Sequence, residues 1–203
     1  MRNKLSIASM VLGTLLIAGA LLLFLHNQNE SDQAAQSSAS TLVRLVEHME
    51  TIPPTEPTPV MQIPEALLTQ EDTQMDEVYV DELPCIGYLT IPKLELVLPI
   101  LSTWDYDLLQ IAPCRYYGSV AGNDLVLMAH NYQYHFGNIS SLAADDRLFF
   151  TDVNGITIEY TLVAQDVLSP YAVEEMTSGD FDLTLFTCTY GGQNRITVYC
   201  DRV

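Results

Sequence analysis

The stretch Leu183-Thr-Leu-Phe-Thr-Cys188-Thr-Tyr-Gly191-Gly192-Gln-Asn-Arg195-Ile-Thr-Val-Tyr-Cys200-Asp-Arg-Val203 places two β-rich runs on either side of a Gly-Gly pair. Such a pair predicts a tight hairpin, because a primed turn requires positive φ at its centre. With both glycines at the turn, Cys188 faces Arg195 across the ribbon. The opposite, apolar face then carries two further pairs, Leu183 with Cys200 and Leu185 with Val198. The hairpin therefore buries one face and presents a thiol beside a guanidinium on the other.

A histidine ends an apolar run elsewhere in the chain. The run Leu125-Val-Leu-Met-Ala129 is short and wholly apolar, which is typical of a strand buried on both faces. His130 follows it and opens the loop Asn131-Tyr-Gln-Tyr-His-Phe-Gly137, a position where functional residues often occur. Taken singly, a strand cysteine is more often a small buried hydrophobe, and a loop histidine is more often structural. The thiol, imidazole and guanidinium indicate a site only in combination.

Three blocks of sequence carry a resemblance to a known family. They are Gly87-Tyr-Leu-Thr-Ile-Pro-Lys93-Leu-Glu-Leu-Val-Leu-Pro99, Ala129-His130-Asn131 with His135-Phe-Gly137 after it, and Leu183-Thr-Leu-Phe-Thr-Cys188 with Arg195. In this order and spacing they resemble the sortases, the cysteine transpeptidases that attach proteins to Gram-positive cell walls. The resemblance covers about residues 85–203. The connection before Leu183 looks too short for the long helical insertion of class B, and the subclass stays open.

The resemblance implies a role for each of three residues. Cys188 corresponds to the nucleophile, which attacks the carbonyl of a Leu-Pro-X-Thr-Gly-like sorting signal and forms a thioester. His130 corresponds to the general acid and base, which protonates the departing amine and deprotonates the incoming one. Arg195 stays charged, so its donors suit a developing oxyanion or the substrate backbone.

Other candidate residues follow from the same resemblance. Thr187, beside the thiol, is expected to offer a backbone or hydroxyl donor. The family forms a groove wall from the loop that corresponds to residues 165–182, where the apolar candidates are Leu168, Tyr171 and Val173. An equally good interpretation is that these three side chains only cover the barrel. We expect no metal site and no cofactor, because the spacings fit no zinc pattern. Some sortases bind calcium through acidic loop residues. The candidate calcium ligands here, a weaker prediction than the absence of a metal, are Asp145, Asp146, Glu174 and Glu175.

The N-terminal segment has the composition of a membrane anchor. Residues 5–25 form an uninterrupted stretch without a charge, long enough to span a bilayer as one helix. Arg2 and Lys4 precede it and acidic residues follow, so the positive-inside rule places the N-terminus in the cytoplasm and the rest outside. The small residues Ala18-Gly-Ala20 lie inside the apolar run, which disfavours a cleaved signal peptide. We therefore expect an uncleaved signal anchor over residues 1–26.

Residues 27–84 differ in composition from what surrounds them. They carry twelve acidic side chains and one arginine, and five prolines crowd together between Pro53 and Pro64. Such a segment predicts a semi-extended extracellular stalk that lifts the catalytic domain, residues 85–203, off the membrane. Apolar residues at 42, 45, 46 and 49 also indicate a short helix within residues 41–50. The formal net charge of −18 disfavours nucleic acid as a partner.

The pattern after residue 83 predicts a mainly β fold. Many short strands with Gly, Pro and Asn-Gly punctuation indicate a closed sheet, and with the resemblance they predict an eight-stranded sortase-like β-barrel with short helices. One helix is expected from Trp104 to Ile111, capped by Ser102 or Thr103, and a helical turn near residues 139–144. Strands are expected at 86–91, 94–101, 115–120, 124–129, 147–152, 156–164, 183–188 and 195–202.

The other cysteines are expected to stay free. If Cys188 is the nucleophile, the odd number that remains leaves at most one disulfide, and Cys200 falls on the predicted core face. We predict no structural disulfide among Cys85, Cys114 and Cys200.

Taken together, these patterns predict a membrane-anchored sortase. Its partners would be secreted proteins with a sorting signal and an amine acceptor, from a peptidoglycan precursor or a pilin lysine. Two alternatives are a catalytically silent surface binding module with the same fold, and another cysteine peptidase or transpeptidase of the cell wall. Papain-like enzymes place Cys before His, whereas here His130 precedes Cys188, which disfavours the second alternative.

Overall fold

The computed structural model describes residues 2–51 and 75–203. Nine strands and three α-helices form the described part of the chain, with short 3-10 turns at Pro92–Leu94 and Ile139–Ser141. The helices are α1 (Arg2–Thr51), α2 (Tyr106–Ile111) and α3 (Val173–Met176). The strands are β1 (Val78–Val80), β2 (Leu83–Ile91), β3 (Leu96–Leu101), β4 (Cys114–Tyr117), β5 (Leu125–Met128), β6 (Arg147–Asp152), β7 (Thr157–Leu168), β8 (Leu183–Cys188) and β9 (Arg195–Arg202).

The strands β2 to β9 close into an eight-stranded barrel, which confirms the predicted fold class. The order around the sheet is β2-β3-β4-β5-β8-β9-β7-β6, and β6 pairs with β2 to close it. Most pairs are antiparallel, whereas β3 with β4 and β5 with β8 are parallel. The short β1, which was not predicted, adds an antiparallel strand to the start of β2. The barrel therefore begins before residue 85.

The C-terminal hairpin has the register that the sequence predicts. Strands β8 and β9 pair Leu183 with Cys200, Leu185 with Val198 and Cys188 with Arg195. Gly191 and Gly192 both adopt positive φ, at 86° and 74°, which residues with a Cβ rarely adopt. The first two pairs lie in the barrel core, so the pair of Cys188 and Arg195 belongs to the outer face.

The N-terminal helix corrects the predicted stalk over residues 27–51. The structure continues α1 as one helix to Thr51, where a semi-extended segment was expected. Two physical reasons explain the difference. Residues 27–51 contain neither proline nor glycine. They also carry a buried stripe at helical spacing, which consists of Ala34, Ser38, Thr41 and Leu45. The remaining stalk prediction, over residues 52–74, lies outside the described residues.

This stripe packs α1 onto the outside of the barrel. Leu45, fully buried, enters a second apolar cluster, and Arg44 forms an ion pair with Asp81 just after β1. The cluster's other buried members are Val80, Cys85, Leu101, Leu109, Ala112, Cys114 and Val153. The latter half of α1 is therefore part of the folded domain rather than a free tether.

Two of the buried cysteines lie near each other but in separate strands. Cys85 and Cys114 both pair with Leu101, one from β2 and the other from β4, with β3 between them. Two strand spacings of about 4.8 Å exceed the Cα separation that a disulfide spans. All four cysteines are free, and Cys200 is buried in the barrel core, where its pattern placed it.

The short helix α2 begins slightly later than predicted. Its cap is Asp105, whose carboxylate accepts a hydrogen bond of 2.7 Å from the Leu108 N–H. Ser102 and Thr103 were wrong as caps, because the hydroxyl of Ser102 instead donates to the Glu77 carboxylate. The predicted helical turn near residues 139–144 is the 3-10 turn Ile139–Ser141.

Candidate active site

Three adjacent strands bring the three candidate catalytic residues to one row. Parallel pairing of β5 with β8 sets Met128 opposite Phe186, and two more steps set His130 beside Cys188. Across the next pair, Cys188 faces Arg195. Neighbouring strands lie about 4.8 Å apart. The register therefore pairs Cys188 with Arg195 on the outer face of the barrel and brings the chain at His130, two residues beyond the end of β5, toward the end of β8 that carries Cys188.

The row extends past the last paired residue of β5 because two hydrogen bonds hold the chain there. The Ala129 N–H donates to the Phe186 carbonyl at 3.3 Å, and the Thr187 hydroxyl donates to the Ala129 carbonyl at 2.8 Å. Thr187 is buried, so its hydroxyl ties β8 to the residue before His130. That hydroxyl is thus engaged inside the protein, and only the Thr187 backbone is left for the donor role predicted from the sequence.

The loop after His130 is a tight coil anchored in the core. The Phe136 N–H donates to the His130 carbonyl at 3.3 Å, and the N–H groups of His135 and Gly137 both donate to the Tyr132 carbonyl. Phe136 is fully buried in the barrel core. The loop therefore fixes the backbone of His130 from both sides.

Burial and one carboxylate set the charge state of His130. Burial lowers the pKa of the His130 imidazole below its usual value, and the charge of Glu30 on α1 partly offsets this effect. The Tyr132 ring packs on the imidazole, with 4.9 Å between ring centroids. Within the described chain the imidazole has no hydrogen-bond partner, which leaves its nitrogens available for proton transfer. The lowered pKa favours the neutral imidazole near neutral pH.

The second histidine of this loop is not an alternative base. His135 is fully buried, and neither ring nitrogen has a hydrogen-bond partner among the described residues. Burial, and then the charge of His130, lower the pKa of His135 to about 4. A neutral, buried ring of this kind packs under α1 and Tyr132 and contacts no solvent.

The guanidinium of Arg195 is held by its own hairpin. Nη1 donates to the carbonyls of Gly192, at 3.1 Å, and Asn194, at 3.2 Å. In the described part of the chain, Nε and Nη2 make no hydrogen bond. One side of the planar fork is thus fixed, and the other side is free to donate to a substrate oxygen.

An apolar patch continues from the catalytic row along the outer face of the barrel. Phe186, two residues before Cys188 on the same face of β8, is buried against Val126 and Met176. Leu168 ends β7 directly opposite Arg195 and packs at the rim of this patch. Period-two alternation in β8 already marks Phe186 as a neighbour of the thiol, a signal that the sequence interpretation did not use.

The other predicted groove residues lie in the loop between β7 and β8. Val173 begins α3 and is partly exposed, whereas Tyr171 is 91% exposed. Met176 of α3, rather than Tyr171, reaches the apolar patch. The structure thus brings Leu168 to the row, places Val173 on the helix above it and leaves Tyr171 in solvent.

The acidic residues suggested for calcium do not form a ligand cluster. Among the described residues, no three His, Cys, Asp or Glu side chains converge as a metal site would require. Asp145 and Asp146 precede β6, where the Asp146 carboxylate accepts a hydrogen bond from the Ala143 N–H. Glu174 and Glu175 lie in α3.

One glycine in the histidine loop supports a testable prediction. A Cβ at Gly137 would lie 2.6 Å from the carbonyl oxygens of both Asn131 and Tyr132. We expect Gly137→Ala to cost about 1–3 kcal/mol of unfolding free energy through overpacking. Because it moves the His130 loop, the change should also lower turnover by about a hundredfold. Chemical denaturation and the peptide-cleavage assay described below measure the two effects.

Gly155→Ala is the matched control for this change. Gly155 has positive φ, lies in the turn between β6 and β7 at the opposite end of the barrel, and has open space around it. The control should lose about 1–2 kcal/mol of stability with unchanged turnover. Equal turnover of the two variants would contradict the role of the loop in placing His130.

The sequence matches the family described as "Sortase domain" over residues 89–203. Similar solved structures include sortase A from Corynebacterium diphtheriae, 25% identical with a TM-score of 0.55, where the match covers 60% of this chain and 62% of that one. Sortase C1 from Streptococcus agalactiae is 25% identical with a TM-score of 0.54, and the match covers 61% of this chain and 70% of that one.

A third solved structure matches over more of the chain. Sortase C from Clostridium perfringens SM101 is 22% identical with a TM-score of 0.51, and the match covers 91% of this chain and 98% of that one. At this identity the likeness shows the fold alone. No curated protein matches the sequence significantly. The family match covers more than half of the chain, and with the barrel topology it shows that this protein belongs to the sortase family.

Proposed function

We propose that this sortase is a membrane-anchored transpeptidase that cleaves a Leu-Pro-X-Thr-Gly-like sorting signal and transfers the acyl group to an amine. The observation that supports the proposal is the strand register, which pairs Cys188 with Arg195 and sets the end of β5, two residues before His130, beside β8. The partners are secreted proteins with a C-terminal sorting signal. The acceptor is an amine of a peptidoglycan precursor or a pilin lysine.

The first half of the reaction forms a thioester. Neutral His130 takes the thiol proton of Cys188, the resulting thiolate attacks the scissile carbonyl carbon, and the free donors of Arg195 stabilise the oxyanion that develops. Protonated His130 gives its proton to the departing amine as the C–N bond breaks. The products are the Cys188 thioester, neutral His130 and the released amine.

The apolar patch beside the row suits the apolar part of the signal. Leu168, opposite Arg195, and Phe186, one pleat from Cys188, flank the position where the scissile carbonyl must lie. We assign the signal's leucine and proline to this patch. Val173 and Tyr171, in the connection between β7 and β8, are available to close over the bound peptide. The Thr187 backbone is available to hydrogen-bond to the same peptide.

The N-terminal helix supports the membrane anchor in this proposal. Within the described residues, α1 is the one helix long and apolar enough to cross a bilayer. Its apolar part is exposed, as expected of a segment that meets lipid rather than protein. We place the N-terminus in the cytoplasm and the barrel outside the bacterial membrane.

Thioester capture tests the proposed function. The full chain, reconstituted in lipid nanodiscs, is incubated with a panel of fluorogenic Leu-Pro-X-Thr-Gly-like peptides. We expect cleavage and a mass increase on the Cys188 tryptic peptide equal to the acyl fragment, and hydroxylamine should remove this adduct. Cleavage without an acyl adduct at Cys188 would point to a different enzyme class, and the absence of both would favour a silent binding module.

A further inference from the structure

A cavity separates α1 from the His130 loop and the β8–β9 hairpin. Its volume is about 510 Å³. On the helix side it is lined by Asn27 and Glu30, and on the barrel side by Asn131, Gln133 and Gly191. Asn131 directly follows His130, and Gly191 lies three residues after Cys188. The cavity therefore adjoins the catalytic row on the side opposite to the apolar patch.

The chemistry of the cavity favours a cation. Glu30 is the only charged residue among those described that line it, and the lining also includes the amides of Asn27, Gln28, Asn131 and Gln133 and the aromatic rings of Phe24, Tyr132 and Tyr190. An ammonium group, with its three donors, satisfies a carboxylate and amide oxygens together, and the face of an aromatic ring also attracts a cation.

Glu30 itself is free to receive such a group. Its carboxylate lies 3.4 Å from Nε2 of His26, one turn earlier on the same exposed helix face. An exposed contact of this kind contributes little, so an incoming ammonium can replace it. The charge of Glu30 already acts on both His130 and Tyr132, which places it within electrostatic reach of the catalytic base.

We infer that this cavity is the acceptor site of the transpeptidase, in which Glu30 and the amide oxygens of the lining bind the primary ammonium group of the second substrate beside His130. The inference rests on the proposed function and extends it to the second half of the reaction. Glu30 lies five residues after Leu25, the end of the uncharged stretch, a rise of about 7.5 Å. The acceptor is therefore presented close to the membrane surface.

Aminolysis of the thioester at this site moves two protons from the incoming ammonium group. The ammonium gives one proton to neutral His130, and its nitrogen then attacks the thioester carbonyl carbon. The C–S bond breaks, and the nitrogen's second proton passes to the departing Cys188 sulfur. The products are the amide, the Cys188 thiol and protonated His130, and loss of the imidazolium proton to solvent restores the starting enzyme with a neutral His130.

The test measures how the thioester partitions between amine and water. The full chain in nanodiscs is given the peptide with one of three nucleophiles, namely triglycine amide, Nα-acetyl-lysine amide, or hydroxylamine, which is uncharged at neutral pH. We expect Glu30→Gln to lower the ratio of aminolysis to hydrolysis about threefold to fivefold for a cationic amine, the size of a partly exposed ion pair. The ratio for hydroxylamine should stay unchanged.

The comparison of nucleophiles separates binding from other effects. If Glu30 acted only through the pKa of His130, the ratios for charged and neutral nucleophiles would change together, which would overturn the inference. A fall for triglycine amide alone assigns the site to an N-terminal amine, and a fall for the lysine derivative alone assigns it to a side-chain amine. Asp32→Asn, two residues away, exposed and outside the cavity lining, is the matched control and should keep all three ratios.

Failure of the inference and failure of the proposed function give different results. If the chain cleaves the peptide and forms the acyl adduct, but Glu30→Gln leaves the aminolysis-to-hydrolysis ratios unchanged, the acceptor site alone is overturned. The absence of any cleavage by the unaltered chain overturns the proposed function and the acceptor site with it.

Discussion

Cys188→Ala is expected to abolish both peptide cleavage and amine transfer, with a loss of at least about 10⁴-fold in turnover. The thiolate is the only group in the catalytic row that can form the acyl intermediate, because His130 exchanges protons and Arg195 stays charged. Cys188 is partly exposed at the end of β8, so alanine leaves no buried cavity and the barrel should keep its stability. Fluorogenic cleavage and intact-mass detection of the acyl adduct measure the effect.

The other three cysteines provide the control for this prediction. Burial raises the pKa of Cys85 to about 11, burial and the charge of Asp105 raise that of Cys114 to about 12, and burial and the charge of Asp201 raise that of Cys200 to about 12. Iodoacetamide at neutral pH should therefore modify Cys188 alone. Cys85→Ala should remain active, and cleavage that survives Cys188→Ala would contradict the nucleophile assignment.

The hairpin that carries Cys188 was predictable because its determinants are local. The period-two alternation of Leu183 and Leu185 specifies the buried face, and the Gly191-Gly192 pair fixes the turn and with it the register. From these alone, Cys188 opposite Arg195 follows correctly. The barrel strands were predictable to within a few residues for the same reason, although β7 extends to Leu168.

The neighbourhood of His130 was less predictable because it depends on non-local pairing. The sequence marks His130 as the end of a buried strand, but it does not show that β5 pairs in parallel with β8, 58 residues later. That pairing comes from the sheet order, and it brings the chain at His130 toward the end of β8 that carries Cys188. The family resemblance supplied this relation in advance, since the local pattern contains no information on it.

The position of α1 was the main error of the sequence interpretation. The acidic composition of residues 27–84 suggested a stalk. Composition alone does not reveal the buried stripe, at helical spacing, of Ala34, Ser38, Thr41 and Leu45. Small residues in that stripe carry a weak hydrophobic signal, yet they let the helix approach the barrel closely. Glu30 and the cavity beside His130 follow from this docking, so no local motif could have revealed them.

Docking of α1 changes the expected distance between the active site and the membrane. A stalk over residues 27–84, 58 residues long, would have held the barrel well away from the bilayer. In the structure the helix passes the catalytic loop within two turns of its apolar part, because Phe24 and Glu30 line the same cavity. If α1 anchors the protein as proposed, this end of the barrel lies close to the membrane surface, which suits reactants that are themselves still attached to the membrane.

Arg195→Lys is expected to lower kcat/KM for peptide cleavage about a hundredfold to a thousandfold while the protein stays folded. Lysine keeps the positive charge but replaces a planar fork with a single point of donation. In the structure one side of the fork is held by the Gly192 and Asn194 carbonyls, and the other side is left for the oxyanion. An ammonium cannot keep both sets of contacts, so the loss of one oxyanion donor sets the size of the effect.

The same substitution at the far end of β9 serves as the control for this prediction. Arg202 donates to the Val120 carbonyl at 3.2 Å, seven residues along the strand from Arg195 and outside the catalytic row. Arg202→Lys should change kcat/KM by less than about twofold, since its contacts, with the Val120 carbonyl and the Tyr160 hydroxyl, lie at the opposite end of the barrel from Cys188. If Arg195→Lys also stays within threefold of the unaltered enzyme, charge alone is sufficient at this position. The donor geometry inferred for Arg195 would then be wrong, and the oxyanion would have to be stabilised by other groups, with the backbone N–H groups beside Cys188 the first to examine.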